Sequence, residues 1–146
     1  MSDRYAIAFK RVYDDIDEQD GQRILVDRLW PRGIKKEKLQ LSTWCKDCCP
    51  SHQLRQAYHA HEIDFNTFAE RYFSELEANI EALTPLLRAS RNGKVTLLSA
   101  VKTFEQSHLP VLKHALLCAL AQEDREADGD EHNSPVCFGK DFNYWN

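Results

Sequence analysis

The segment Lys94-Val95-Thr96-Leu97-Leu98-Ser99-Ala100 limits most strongly what this chain can become. Its nearly continuous apolar run suits a strand covered on both faces, the usual setting of a parallel sheet. Asn92-Gly93 just before it reads as an αL helix stop. Two earlier segments, residues 5–9 and 23–27, carry the alternation or short apolar run of strands. The acidic loop between them ends in the turn signal Asp20-Gly21. Pro31 and Gly33 close the second strand, residues 35–39 suit one helical turn, and residues 44–48 suit a third, short strand.

Helical periodicity fills the rest. Phe65, Phe68, Tyr72, Leu76, Ile80 and Leu83 recur every three or four residues, which predicts one amphipathic helix over 65–83, capped by Asp64 or Asn66. Ser51 is the expected N-cap of a helix carrying Leu54 and Tyr58. Thr84 is the expected N-cap of another, with Pro85 at its first position. A last helix runs from about Ser107 through Leu109, Leu112, Leu116 and Leu120. Strands interleaved with helices predict an α/β fold: a small three-layer domain with a mainly parallel sheet covered by helices.

A chain of 146 residues is one domain's worth. No apolar run approaches the roughly 18 residues of a membrane span, and residues 1–15 hold no signal-peptide core, so the expectation is a cytoplasmic protein with no membrane partner. The net charge of −4 is uneven. Residues 1–122 carry 17 Lys and Arg against 16 Asp and Glu, whereas residues 123–131 hold six acids and one base. The expected division is therefore one α/β domain over 1–122 and, over 123–146, an acidic linker with an aromatic tail. Phe138, Phe142, Tyr144 and Trp145 in that tail are expected to fold back on the domain or onto a second copy, making a homo-oligomer one expected form.

Ligands of parallel sheets bind beyond the carboxyl ends of the strands, which singles out three segments. The first is Asp27-Arg28-Leu29-Trp30-Pro31-Arg32-Gly33, where two guanidinium forks flank an aromatic in a turn suited to a carboxylate or phosphate. Its bland reading is an ion pair between Asp27 and one of the arginines. The second holds Lys46 and Asp47, acid–base candidates, with Ser51 at a helix start and Arg55 beyond it. The third holds Lys102 and His108 after the late strand. Seven bases against Asp27 and Glu37 over 23–46 make this the basic part of the chain.

Cys45-Lys46-Asp47-Cys48-Cys49 has the outline of a metal or redox motif. A zinc site wants four ligands, usually from two paired motifs, and no second C-x-x-C exists here. The cysteines therefore read as small apolar side chains, and neither a metal nor a cofactor is expected.

Together, the run from Val26 through Gly33, then Trp44-x-Lys46-Asp47-x-x-Pro50-Ser51-x-x-Leu54-Arg55 and Phe68-x-x-Arg71-Tyr72, resemble the YeaO-like family, a bacterial domain of unknown function (number 488). The resemblance covers about residues 5–120. It implies a small cytoplasmic α/β domain and no established activity; some relatives carry the label of transcriptional regulator. After the late strand the family tends to show Lys-Asp followed by His-Asn. Here Lys102 is kept, but Thr103, Gln106 and Ser107 stand at the other places, and Ala60 falls where the family has an earlier His.

The expected function is therefore binding of a small anionic ligand, phosphate- or nucleotide-like, in a cleft lined by Arg28, Trp30, Arg32, Lys46, Ser51, Arg55, Lys102 and His108, with Asp27, Lys46 and Asp47 as the candidates for acid–base or hydrolytic chemistry. The alternative is a regulatory or nucleic-acid-binding module using the basic stretch 23–46. The acidic total and the lack of a helix-turn-helix weigh against it.

Overall fold

The computed structural model describes residues 5–127, so the aromatic tail expected to dock lies outside the described residues. The chain divides into two compact units. One comprises residues up to Cys49 together with Glu81–Phe104; the other comprises Pro50–Ile80 and the chain from Glu105.

The first unit is built on four parallel strands: β1 (Ile7–Arg11), β2 (Gln22–Leu25), β3 (Thr43–Trp44) and β4 (Val95–Ser99). Their order across the sheet is β1-β4-β2-β3, which makes the apolar 94–100 segment the centre. The α/β fold with a parallel sheet is thus present, and all five residues of β4 are buried, as a doubly covered strand requires. β1 starts later than the alternation suggests, and its pairing with β4 runs from Ile7 opposite Val95 to Arg11 opposite Ser99. β3 is only two residues long; Cys45 adds one rung, its N–H donating to the Leu25 carbonyl at 2.8 Å, before the chain turns away. Helix α1 (Lys36–Leu39) is the single turn expected between β2 and β3.

Leu25 and Leu98 stand at one level of the register and share a core cluster with Val12 and Leu39, against which Trp30 and Trp44 pack. Fully burying each such aliphatic side chain stabilises by roughly 1.5–3 kcal/mol. At the entry to β2 the chain needs a glycine. Gly21 has φ +67°, and a β-carbon there would collide with the Lys94 carbonyl. The acidic loop ahead of it is ordered by a capping box in which Asp17 and Asp20 bond each other's backbone around a 3₁₀ turn.

The second unit is helical: α2 (His52–His59), α3 (Phe65–Ala78) and α5 (His108–Ala127), with α3 packed on both others. Ser51 and Asp64 are the N-caps of α2 and α3. The 65–83 periodicity does not make one helix. α3 stops at Asn79, a residue type that favours caps over helix interiors, and a 3₁₀ turn (Ile80–Leu83) follows, leaving Ile80 exposed. Helix α4 (Thr84–Asn92), in the first unit, then continues straight from that turn. Leu83, not Thr84, is its N-cap, because the preceding turn already supplies helical backbone; Thr84 is the first helical residue. Gly93 ends α4 at φ 147°, ψ −160°, an extended glycine conformation and not the expected αL. α5 runs five residues into the stretch whose acidity suggests a linker, held there by side-chain bonds of Gln122 to Arg125 and Glu126. Among the described residues, no helix is long and apolar enough to cross a membrane.

Candidate functional site

In a parallel sheet every strand delivers its next residues to the same edge, and in the first unit those residues are joined by Asp27. Val26 still donates to the Leu98 carbonyl at 3.0 Å; Asp27 then leaves the ladder. Its carboxylate accepts the Ser99 hydroxyl at 2.6 Å on one oxygen and the Ala100 N–H at 2.8 Å on the other. Its backbone carbonyl accepts the Trp44 indole N–H at 2.7 Å. One residue after β2 therefore clamps the ends of β3 and β4 together. Sequence reasoning offered Asp27 as an acid or base; the structure gives both its oxygens hydrogen-bonding work within the fold.

The cations stand around this clamp. The Lys46 ammonium lies 4.1 Å from the centre of the Trp44 ring, and Trp30 meets Trp44 edge-on at 5.3 Å. Trp30 also donates its indole N–H to the Ile34 carbonyl at 2.7 Å, closing the Pro31–Gly33 turn, where Gly33 takes φ +78°. Tyr13, following β1, reaches the Arg32 carbonyl at 3.2 Å, and the Arg11 guanidinium covers the Tyr13 ring. The loop after β2 is thus pinned on one side by the residue after β1 and on the other by β3. Arg28 donates to the Cys49 carbonyl at 3.4 Å. The guanidinium of Arg32 is exposed and makes no hydrogen bond or ion pair among the described residues; Lys46 likewise has no carboxylate partner there. Asp47 and Lys102 are exposed and equally without a hydrogen bond among those residues.

The structure thus joins Asp27, Trp30 and Lys46 through Trp44; Arg32 is tied to Tyr13 by its backbone carbonyl alone, and Arg28 to the Cys49 carbonyl. Ser51, Arg55 and His108 belong to the second unit. Ser51 there gives its N–H and its hydroxyl to the two oxygens of Glu75, at 2.9 and 2.5 Å. The N-terminus of α2, expected to hold an external anion, already faces an internal carboxylate. Arg55 has its Nε buried without a partner and lines a groove of about 640 Å³ with His52, Gln56, His59 and Glu62. His108 opens α5 with its ring 6.3 Å from that of Tyr72.

Two features escape the sequence reading. Trp44, which the sequence places at the head of the second segment without a role, is the platform of the site. The other is a buried charge group beside the start of β2. Asp20 accepts Arg23 at 2.5 Å and Lys10 at 3.0 and 3.2 Å, while Arg23 Nε donates to the Leu39 carbonyl. Burial pushes the Asp20 carboxyl up, but the bonds from the Asp17 N–H, Lys10 and Arg23 outweigh it and hold the group below its ordinary value. The Asp–Arg spacing of three was the available signal, obscured by reading Asp20-Gly21 as a turn.

The fold and its loops define a small α/β domain with cations gathered where parallel strands end. Residues 6–139 match the family described as "Inactive DUF488-N3 subclade". The "Uncharacterized protein YeaO" of Escherichia coli (strain K12) is 45% identical over 106 residues, 73% of this chain and 92% of that protein. The "Uncharacterized protein Rv3073c" of Mycobacterium tuberculosis (strain ATCC 25618 / H37Rv) is 44% identical over 106 residues, 73% of this chain and 89% of that protein. No solved structure matches the chain. The chain belongs to the YeaO-like DUF488 family.

Proposed function

We propose that this protein is a binding module for a small anionic ligand carrying a phosphate-like group, held by Arg28, Arg32 and Lys46, and that it performs no chemistry on it. One observation carries the reading: Arg32 and Lys46 project from loops joined by the Trp30–Trp44 contact, and neither has an acidic partner among the described residues. Guanidinium and ammonium groups left unpaired beside a parallel sheet's carboxyl edge suit phosphate oxygens. Two further points favour binding over catalysis. Both Asp27 oxygens are bonded to Ser99 and Ala100, and the matching subclade is described as inactive.

Calorimetric titration with inorganic phosphate and with a nucleoside monophosphate tests the reading. Wild-type protein is expected to bind one of them, and Arg32→Ala to lose about ten- to a hundredfold in affinity, the worth of one or two charged hydrogen bonds. Equal affinity of the two proteins, or no binding by either, would overturn it. Nucleic-acid binding through residues 23–46 would instead show as duplex affinity that falls log-linearly and steeply with salt.

A further inference from the structure

The turn that follows β3 holds three thiols, Cys45, Cys48 and Cys49, all buried and none in a disulfide. Cys45 is fixed to the sheet through its N–H bond to Leu25, and the turn closes when Cys49 N–H donates to the Lys46 carbonyl at 3.2 Å. Beside that turn the Cys48 thiol donates to the Cys45 carbonyl at 3.3 Å, and the Cys45 thiol donates to the Ala82 carbonyl at 3.7 Å. The Cys49 thiol donates to the Val26 carbonyl at 3.2 Å and also lies 3.6 Å from the Cys45 carbonyl. Two cysteines with two residues between them can close a disulfide ring, whereas adjacent cysteines close only a strained one.

We propose that Cys45 and Cys48 are a redox pair that a hydroperoxide converts to a disulfide, Cys45 attacking and Cys48 resolving. The Cys45 thiolate attacks one peroxide oxygen; the S–O bond forms, the O–O bond breaks, and the departing hydroxide leaves as water with the thiol's proton. Cys48 then attacks the sulfenic sulfur of Cys45; the S–S bond forms, the S–O bond breaks, and hydroxide takes the Cys48 proton to leave as a second water. The two thiols lose two electrons and two protons, and hydrogen peroxide is reduced to two waters. Exposure assigns the roles: Cys45 keeps 5% of its surface open, whereas Cys48 is fully enclosed. The bond from Cys48 holds the Cys45 thiol below its ordinary value, against burial and the Asp47 charge that push it up. The same bond, with that to Cys49 and burial, raises Cys48 well above it, keeping the resolving thiol protonated until attack. Lys46 lies inside the ring that the disulfide closes, so oxidation would stiffen the segment carrying it.

Full-length protein is treated with hydrogen peroxide, unfolded, alkylated and mapped by mass spectrometry. The peptide containing residues 45–49 is expected to be lighter by two hydrogens, with Cys45 and Cys48 protected from alkylation and Cys49 modified, and dithiothreitol should reverse the change. Cys49→Ser should still form the bond, whereas Cys45→Ser should not. Full alkylation of both residues after peroxide would overturn the proposal and leave these cysteines as apolar packing. So would a bond between Cys48 and Cys49, or sulfinic acid as the first product. The wild-type map decides the matter even where a variant fails to fold.

Discussion

Two groups of charged side chains belong to the same sheet unit, and they are treated in opposite ways. Beside the start of β2, Asp20 and Arg23 are 6% and 5% exposed, and every oxygen of Asp20 is engaged: Arg23, Lys10 and the Asp17 N–H on the carboxylate, the Thr96 hydroxyl on its carbonyl. At the carboxyl ends of the strands, Arg32 and Lys46 stay at the surface and form no ion pair among the described residues, although the exposed Asp47 follows Lys46 in the chain. A buried charge survives only with partners, because desolvation costs several kcal/mol per ion. An exposed cation keeps its hydration and can be left unpaired at little cost. Burial with an ion pair marks structure, even though Arg23 Nη2 is left without a hydrogen-bond partner; exposure without pairing, at an edge built from several loops, marks a place for a ligand.

The largest effect is expected from breaking the paired group. Asp20→Ala leaves Arg23 and Lys10 without their carboxylate. Because the group lies just beneath the surface, the loss should be about 2–3 kcal/mol, the low end for a severed buried pair, read as a shift in the urea midpoint. The sign of its pH dependence follows from the lowered Asp20 value. The ionised carboxylate's contribution is complete above its ordinary value of 3.8 and is lost as pH falls through the lower folded value. The gap between wild type and Asp20→Ala should therefore hold from neutrality to about pH 4 and close only below that. A gap that stays open in stronger acid would show that ionisation is not its source.

Asp27 tests the boundary between the two groups, since it is an acid at the ligand end used as a clamp. Asp27→Ala removes the acceptor of the buried Ser99 hydroxyl and of the Ala100 N–H, and should cost about 2 kcal/mol in chemical denaturation. Stability equal to wild type would free Asp27 from its structural role and reopen it as a catalytic group.

How far such a distinction can be read in advance depends on the range of the interactions. Residues 94–100 announced the central strand because a doubly buried strand must be apolar throughout, a local requirement. Ser51 and Asp64 announced the starts of α2 and α3 for the same reason: capping acts within three residues. The end of α3 was hidden because the apolar spacing continues through Ile80 and Leu83 although the backbone does not; Leu83 is buried from a 3₁₀ turn. At the site, Arg28, Arg32 and Lys46 were legible as unusual cations near strand ends. The contacts that frame them were not, since Asp27 meets Ser99 across 72 residues and Trp30 meets Trp44 from a different strand. The Glu75 carboxylate on Ser51 was equally invisible, 24 residues away.

The smallest effect on stability, and the sharpest contrast with Asp20, is expected at Lys46. Lys46→Met keeps the aliphatic stem on Trp44 and removes only the ammonium. An exposed cation–π contact contributes roughly 0.5–1 kcal/mol, part of which the thioether's own contact with the ring restores. Thermal melting should therefore move by a few degrees at most, about what such an energy produces in a domain of this size. Phosphate affinity should instead fall about tenfold, because the lost group is one the ligand would use directly. For Asp20→Ala the two readouts should reverse, with stability falling and affinity per folded molecule kept. If Lys46→Met destabilises the protein as much as Asp20→Ala does, both groups are structural and the unpaired cations lose their claim to a ligand.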